Sequence, residues 1–331
     1  MYKYFCSFLF CVFLFPNSFF AQKKDKPKPG EGVSAFLRRH NRPPQAYHEA
    51  FIKLNKSKLG KDETLLKDVF YVLPPLKKHL TETLNKKIWS IEEPLFGPSY
   101  KNVQIRSHRL SNACFYVVSG HGGPDPGAIG KANGHELHED EYAYDIALRL
   151  ARCLMEEGAE VRIIIQDEKD GIRDVHYLEN SKSETCMGDP IPLDQTARLR
   201  QRCDKINSFY RKERKKYAYC RAIFIHVDSR GKGEQTDVYF YHTPNSTKGK
   251  HLATNMKDKF EARYGRHQPN RGFRGTVSER NLYVMRNSNP VAVFVELGNI
   301  QNTFDLRRLL YSGNRQALAR WLCDGFLQDF R

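Results

Sequence analysis

Three apolar runs in this sequence end in side chains that can hold a cation or move a proton. Cys114–Val118 breaks into Ser119-Gly120-His121, Phe224-Ile225 into His226-Val227-Asp228, and Val293-Phe294-Val295 into Glu296-Leu297-Gly298. Short apolar runs bounded by turn residues read as buried strands. In an α/β sheet ligands bind beyond the carboxyl ends of the strands, so each of these polar residues is placed for chemistry. The loop after Cys114–Val118 holds five glycines by Gly130, and a backbone without Cβ atoms can pass close to a ligand. A fourth residue, Glu139, opens a helical pattern in which Ile146, Leu150 and Leu154 recur on one face. Glu139 precedes Ile146 by about two turns and so shares that face. A carboxylate at the head of a buried stripe needs a partner, either a cation or the helix end that it would cap.

His121, Glu139 and His226 together are two imidazoles and a carboxylate with room for a fourth ligand. That is the composition of a catalytic rather than a structural zinc site. Zn2+ held there polarises a carbonyl oxygen and brings the pKa of a bound water towards neutrality. Glu296 is the candidate to take the proton and pass it to a leaving amine. His135 and His138, just before Glu139, and His242, at the end of Asp237–His242, are rival ligands; the alternatives are solvated loop histidines and a locally hydrogen-bonded one. The six cysteines beyond residue 21 include no Cys-x-x-Cys pair, which argues against a thiolate metal site. Cys114 and Cys153 sit in apolar patterns and read as core.

The elements that must position these residues alternate strand and helix. Helices are expected over Glu139–Glu157, Ala197–Arg211, Lys248–Arg263 and Gln316–Phe330, and strands over Glu160–Gln166, around His226 and over Asp237–His242. Residues 167–192 are polar and unassigned, with the character of a lid or specificity loop. The fold class is α/β: a three-layer α/β/α sandwich with a mostly parallel central sheet, preceded by a small segment that is LysM-like or simply helical.

The chain before residue 111 divides by composition. Residues 1–21 carry Lys3 and an apolar stretch, Phe5–Phe15, ending near Ala21, which reads as a signal peptide. Residues 22–31 form a Lys/Pro-rich leader expected to be extended and mobile. Residues 32–75 form a compact segment, 76–110 a connector, and 111–331 the main domain. Export implies a periplasmic or secreted protein, and no later apolar run is long enough to span a membrane. The net charge of +16 includes the Arg211–Lys216 cluster. No aromatics interleave with that cluster, so it reads as a solvated helix face, and export argues against a nucleic-acid partner. An anionic envelope polymer suits the charge.

Several ordered motifs carry a resemblance. His121-Gly-Gly-Pro-Asp-Pro-Gly-Ala128, Glu139 opening the helix with Ala147-Leu-Arg-Leu-Ala151, Phe224-Ile-His-Val-Asp228, Asn270-Arg-Gly272, and Val295-Glu-Leu-Gly298 followed by Asn302 and Asp305 resemble the zinc-dependent N-acetylmuramoyl-L-alanine amidase family over about residues 113–330. The resemblance implies one zinc on the residues matching His121, Glu139 and His226, and a catalytic glutamate matching Glu296. It implies cleavage of the amide between N-acetylmuramic acid and L-alanine in peptidoglycan, in wall remodelling or daughter-cell separation, and leaves room for a protein activator. Arg202 and Asn207 match a family pattern and read as structural. Ser119 and Val227-Asp228-Ser229 depart from the family's usual residues beside the ligands. Residues 32–75, with Gly-Val-Ser, Phe-Ile-Lys-Leu-Asn and Tyr-Val-Leu-Pro in order, resemble a LysM peptidoglycan-binding module.

Two alternatives stay open. A zinc carboxypeptidase on stem peptides is disfavoured because Glu139 follows His121 by eighteen positions rather than sharing one short turn with it. A catalytically inactive wall-binding protein would owe its affinity to residues 32–75 and the positive charge.

Overall fold

The computed structural model describes residues 23–29, 31–42, 44–75, 90–228, 235, 237–268, 270 and 272–331. Residues 1–21, read above as a signal peptide, and the whole 76–89 stretch lie outside them. Two compact units are present, one ending at Lys87 and one beginning at Ile88.

The first unit is built in the order strand, helix, helix, strand. β1 (Lys24–Asp25) pairs antiparallel with β2 (Tyr71–Val72), and α1 (Val33–Arg39) and α2 (Pro44–Asn55) lie between them in sequence. Phe36, Leu37, Tyr47, Phe51 and Tyr71 are buried in its core. Part of the 22–31 leader is therefore structured: Lys24–Asp25 is a strand, and Arg39 grips Asp25 and Glu31 at 2.7 and 2.8 Å.

The second unit begins earlier than the sequence suggested. β3 (Ser90–Glu92) and β4 (Asn102–Gln104) pair as a hairpin, and Phe96, Val103 and Leu110 are fully buried in the main core. Residues 90–110 thus belong to this unit rather than connecting to it, because their apolar side chains have a core to enter. The central sheet has six strands in the order β14 (Thr276–Glu279), β13 (Tyr239–His242), β15 (Val291–Asn299), β12 (Tyr219–Asp228), β5 (Ala113–Ser119) and β8 (Glu160–Ile163). All neighbours are parallel except β13 and β15.

Helices cover both faces. One face packs on α3 (Glu139–Glu156), α5 (Thr247–His267) and α8 (Ser312–Asp329). The other packs on α4 (Gln195–Glu213) and the short α6 (Tyr283–Arg286). This is the three-layer α/β/α sandwich with a mostly parallel sheet that the alternating pattern predicts. Strands buried on both faces read as near-continuous apolar runs, and β5 is buried along its whole length. Ile146, Leu150 and Leu154 of α3 are fully buried, as the stripe requires.

The unassigned 167–192 segment is tied down rather than loose. β9 (Ile165–Gln166), β10 (Thr185–Cys186) and β11 (Asp189–Pro190) make a small antiparallel sheet. Arg173 pairs with Glu141 on α3 at 3.0 Å, and Gly123 in the His121 loop donates to Glu184 at 2.8 Å. All six cysteines of the described residues are buried free thiols. Among the described residues no helix is long and apolar enough to cross a membrane.

Candidate active site

His121, Glu139 and His226 meet. Each offers one ligand atom, and these atoms lie within 4.8 Å of one another; no other such group of His, Cys, Asp and Glu exists among the described residues. His121 Nε2 is 3.3 Å from Glu139 Oε2, and His226 Nδ1 is 3.1 Å from Glu139 Oε1. The two imidazole rings stand 4.8 Å apart at 78°.

The local sequence explains how they converge. His121 follows β5 with φ +57°, a left-handed conformation that non-glycine residues seldom adopt, and the turn that Gly122 and Gly123 continue is also left-handed. Two glycines make room for the three side chains. A Cβ on Gly127 would fall 2.7 Å from His121 Cδ2 and 2.8 Å from Glu139 Oε2, and one on Gly120 would overlap the His226 ring. Glu139 is the first residue of α3, and its carboxylate turns away from the helix end. It accepts from the backbone N–H of Ala128 and of Val227, both at 2.9 Å.

The electrostatics favour a cation between the three side chains. Burial opposes charge on both Glu139 and His121, but their hydrogen bonds override it. Glu139 is held well below the usual carboxylate range by His121 and His226. His121, against burial, is pushed up to about 10 by Asp125 and Glu139. His226 is lowered, chiefly by burial. A carboxylate buried to 5% exposure and kept ionised needs a positive partner. Either one proton shared with the imidazoles or a metal ion supplies it.

Glu296 lies on β15 in register with His226 of the neighbouring parallel β12. It is 4% exposed and is not one of the three clustered donors. Side chains in register on adjacent strands share a face, so Glu296 and His226 point to the same side of the sheet. A cleft of about 170 Å³ opens there, lined by His121, Asp125, Arg198, Arg202, His226 and Phe294 among others.

The rival histidines fall elsewhere. His135 stacks on Tyr177 at 3.9 Å, and His138 precedes α3 outside the cluster. His242 is buried, with Nδ1 3.0 Å from the carbonyl of Thr243. Arg202 donates to the His121 carbonyl and is 4% exposed, so its role here is to brace the loop. Asn207 exchanges bonds with Asn287 and Asn289 at 2.8 and 2.7 Å.

Two residues escaped sequence reasoning. Asp125 Oδ2 sits 3.0 Å from His121 Nδ1, and Arg198 Nη2 donates to the same oxygen at 2.8 Å. An Asp four residues after the candidate ligand His121, inside a glycine-rich turn, was the available signal for the first. Nothing local marks Arg198, which reaches the site from α4.

The profile of the N-acetylmuramoyl-L-alanine amidase family matches residues 116–328. No curated protein sequence matches the chain. Among solved structures, the N-acetylmuramoyl-L-alanine amidase AmiC2 of Nostoc punctiforme is 17% identical, covering 67% of this chain and 97% of its own, with a TM-score of 0.44. The CwlD amidase of Clostridioides difficile, solved in complex with the GerS lipoprotein, is 17% identical over 66% of this chain and 98% of its own, with a TM-score of 0.47. The amidase Ami1 of Mycobacterium abscessus is 13% identical over 67% of this chain and 100% of its own, with a TM-score of 0.46. The matched profile runs from within β5 to within α8, thus taking in the three clustered donors and Glu296. On that match, which spans more than half of its length, the chain belongs to the N-acetylmuramoyl-L-alanine amidase family.

Proposed function

We propose that the chain hydrolyses the amide between N-acetylmuramic acid and L-alanine in peptidoglycan, with one zinc held by His121, Glu139 and His226. The observation that carries this reading is the convergence of those three donors beside Glu296, inside the span that defines the family. The donor set fits the ion: two imidazoles and one ionised carboxylate, each offering a ligand atom. When bound, zinc supplies Lewis acidity and lowers the pKa of a bound water.

The protein's own groups do the rest. Glu139 contributes the negative charge, and the N–H groups of Ala128 and Val227 fix its carboxylate. Asp125 sets the tautomer and aim of the His121 ring. Glu296 takes a proton from the water that attacks the amide carbonyl and returns it to the amine of L-alanine as the C–N bond breaks. Phe294, stacked on His226 at 4.3 Å, steadies that ring and lines the cleft.

The setting belongs to the same proposal: an exported enzyme of wall remodelling or daughter-cell separation. The first unit serves as a peptidoglycan-binding module. Its strand-helix-helix-strand order, closed by β1 and β2, supports the LysM-like reading.

The test uses the chain from Gln22 onward with purified peptidoglycan, with and without a chelator, and mass spectrometry of the released products. Free stem peptides with an amino-terminal L-alanine, lost on chelation and in Glu296→Ala, are the expected result. Release of single terminal residues instead would move the assignment to a carboxypeptidase. Sedimentation with the sacculus and no release would leave a binding protein.

A further inference from the structure

The second unit holds another concave site, far from the metal ligands. Arg106, Arg152, Glu156, Arg263, Arg320 and Trp321 line most of a cavity of about 450 Å³. It lies at the carboxyl end of α3, the helix whose first residue is Glu139. An α-helix rises 1.5 Å per residue, so the cavity is removed from the ligand by roughly 25 Å along the axis.

The arginines gather there for a definable reason. Glu156 and Glu157 stand at the negative end of the α3 dipole, and both are nearly buried. Glu156 is approached by Arg106 at 3.4 Å, by Arg152, and by Arg320 at 3.1 Å. Glu157 takes Arg109 at 2.7 Å, and Asp324 takes Arg263 at 2.7 Å. Five guanidiniums therefore answer three carboxylates, and the excess exceeds what the helix end requires, since the dipole amounts to about half a charge. The four arginines of the cavity wall are answered by Glu156, Glu157 and Asp324, so they too stay in excess.

Guanidiniums held close together repel unless an anion sits among them. Their planar forks match oxyanions with two donors side by side. Arg106 keeps 64% of its side chain exposed and Arg263 keeps 36%, so both can turn donors into the cavity. A water's share of liquid volume is about 30 Å³, so the space admits a phosphate group with part of its hydration shell.

We propose that this cavity binds a phosphoryl oxyanion, held by Arg106, Arg152, Arg263 and Arg320 against the indole of Trp321. The proposal is independent of the amidase reading, since it uses none of the site's residues.

Trp321 provides the readout. The sequence has two tryptophans, so Trp89→Phe leaves Trp321 as the sole reporter in the full chain. Its emission is followed while sodium pyrophosphate or inorganic phosphate is added at constant ionic strength, with sodium chloride as control. A saturable change is expected, with half-saturation below about 1 mM, the affinity of a modest specific contact. Arg106→Ala with Arg263→Ala should weaken it at least tenfold. Arg106→Lys with Arg263→Lys keeps the charge and loses the fork; it should retain part of the affinity, and it stands in if the alanine pair does not fold. A second arm floats the protein with phosphatidylglycerol vesicles and with phosphatidylcholine vesicles. Flotation with the former alone assigns the phosphoryl group to a lipid headgroup, and an emission response without flotation assigns it to a soluble phosphate. An emission change that never saturates, that chloride reproduces, or that the alanine pair leaves intact would overturn the proposal, provided vesicles also fail to bind.

Discussion

His121 Nδ1 lies 3.0 Å from Asp125 Oδ2, while the opposite ring nitrogen, Nε2, faces Glu139 at 3.3 Å. One imidazole is thus fixed from behind by a carboxylate and presented in front to a second one. Arg198, 2.8 Å from the same Asp125 oxygen, holds that carboxylate ionised and in place. Asp125 is accordingly lowered, first by its bond to His121 and against the effect of burial.

Asp125→Asn should therefore weaken metal affinity without abolishing it. Outer carboxylates behind ligand histidines are worth about 10–100-fold in affinity or activity. Competition against a chromophoric chelator measures this directly. Arg198→Ala, which leaves Asp125 in place but frees it to rotate, should fall between wild type and Asp125→Asn. An Asp125→Asn protein that holds zinc as tightly as wild type would remove the residue from the site's support.

Glu296 is predicted to separate chemistry from metal binding. It shares a register position with His226 yet is not among the clustered donors. Glu296→Gln should lower kcat by roughly 10²–10⁴, the usual worth of a positioned acid–base group, and leave the metal content near one per chain. Glu139→Gln should lose both. If Glu296→Gln loses metal in parallel with activity, Glu296 is a ligand and its role as proton carrier is wrong.

Metal uptake should release a proton at neutral pH. In the metal-free protein His121 is pushed up to about 10, burial notwithstanding, by Asp125 and Glu139. Its proton must leave before the nitrogen can bind a metal. Below pH 10 the apparent affinity should therefore rise as pH rises, by up to about tenfold per unit. The stability of the metal-free protein moves the other way. The charged His121 contributes fully below its unfolded pKa of about 6.5, and that contribution is lost as pH climbs through the folded value. Calorimetric zinc titrations at pH 7.5 in two buffers of different ionisation enthalpy give the proton count, and a count of zero contradicts the assignment.

Much of the site was legible because its residues sit at the ends of apolar runs. A strand buried on both faces writes itself as continuous hydrophobicity, and its first polar residue marks the sheet edge where His121, His226 and Glu296 stand. Glu139 was legible through the 3.6-residue period of α3. What the sequence withheld depends on side chains reaching across the fold. Arg198 finds Asp125 from another helix across 73 positions. Arg173 anchors the 167–192 segment by bonds to Glu141, which no periodicity encodes. The hairpin of β3 and β4 was missed because its strands are three residues each, too short to show a period.

Gly127→Ala should damage the site while sparing the fold. Gly127 has φ +69°, and an added Cβ would meet His121 and Glu139 at under 3 Å. The loop must shift, and both ligands move with it. Loss of metal affinity with a thermal midpoint close to that of the wild-type apoprotein is the expected pair of results.

Arg315 is where stability should be most sensitive to a single charge. It is fully buried, with Nε 2.6 Å from Asp145 Oδ2 on α3. Its other donors reach the carbonyls of Leu309, Leu310, Arg173 and Val175. Arg315→Met removes the cation and its bonds to the carbonyls of Leu309, Leu310 and Val175, although Arg149 remains 2.8 Å from Asp145 and still donates to the Arg173 carbonyl. Breaking a buried pair by deleting one partner costs about 3–5 kcal/mol, whereas Lys212→Ala on an exposed helix face should stay within about 0.5 kcal/mol. Because Arg173 and Val175 belong to the 167–192 segment, the loss should also open that segment to protease before global unfolding begins. Denaturant melts paired with limited trypsin digestion test both parts. A variant of unchanged stability would mean that Arg149 and the Arg173 N–H suffice for Asp145, and early cleavage elsewhere would mean that Arg315 does not anchor the segment.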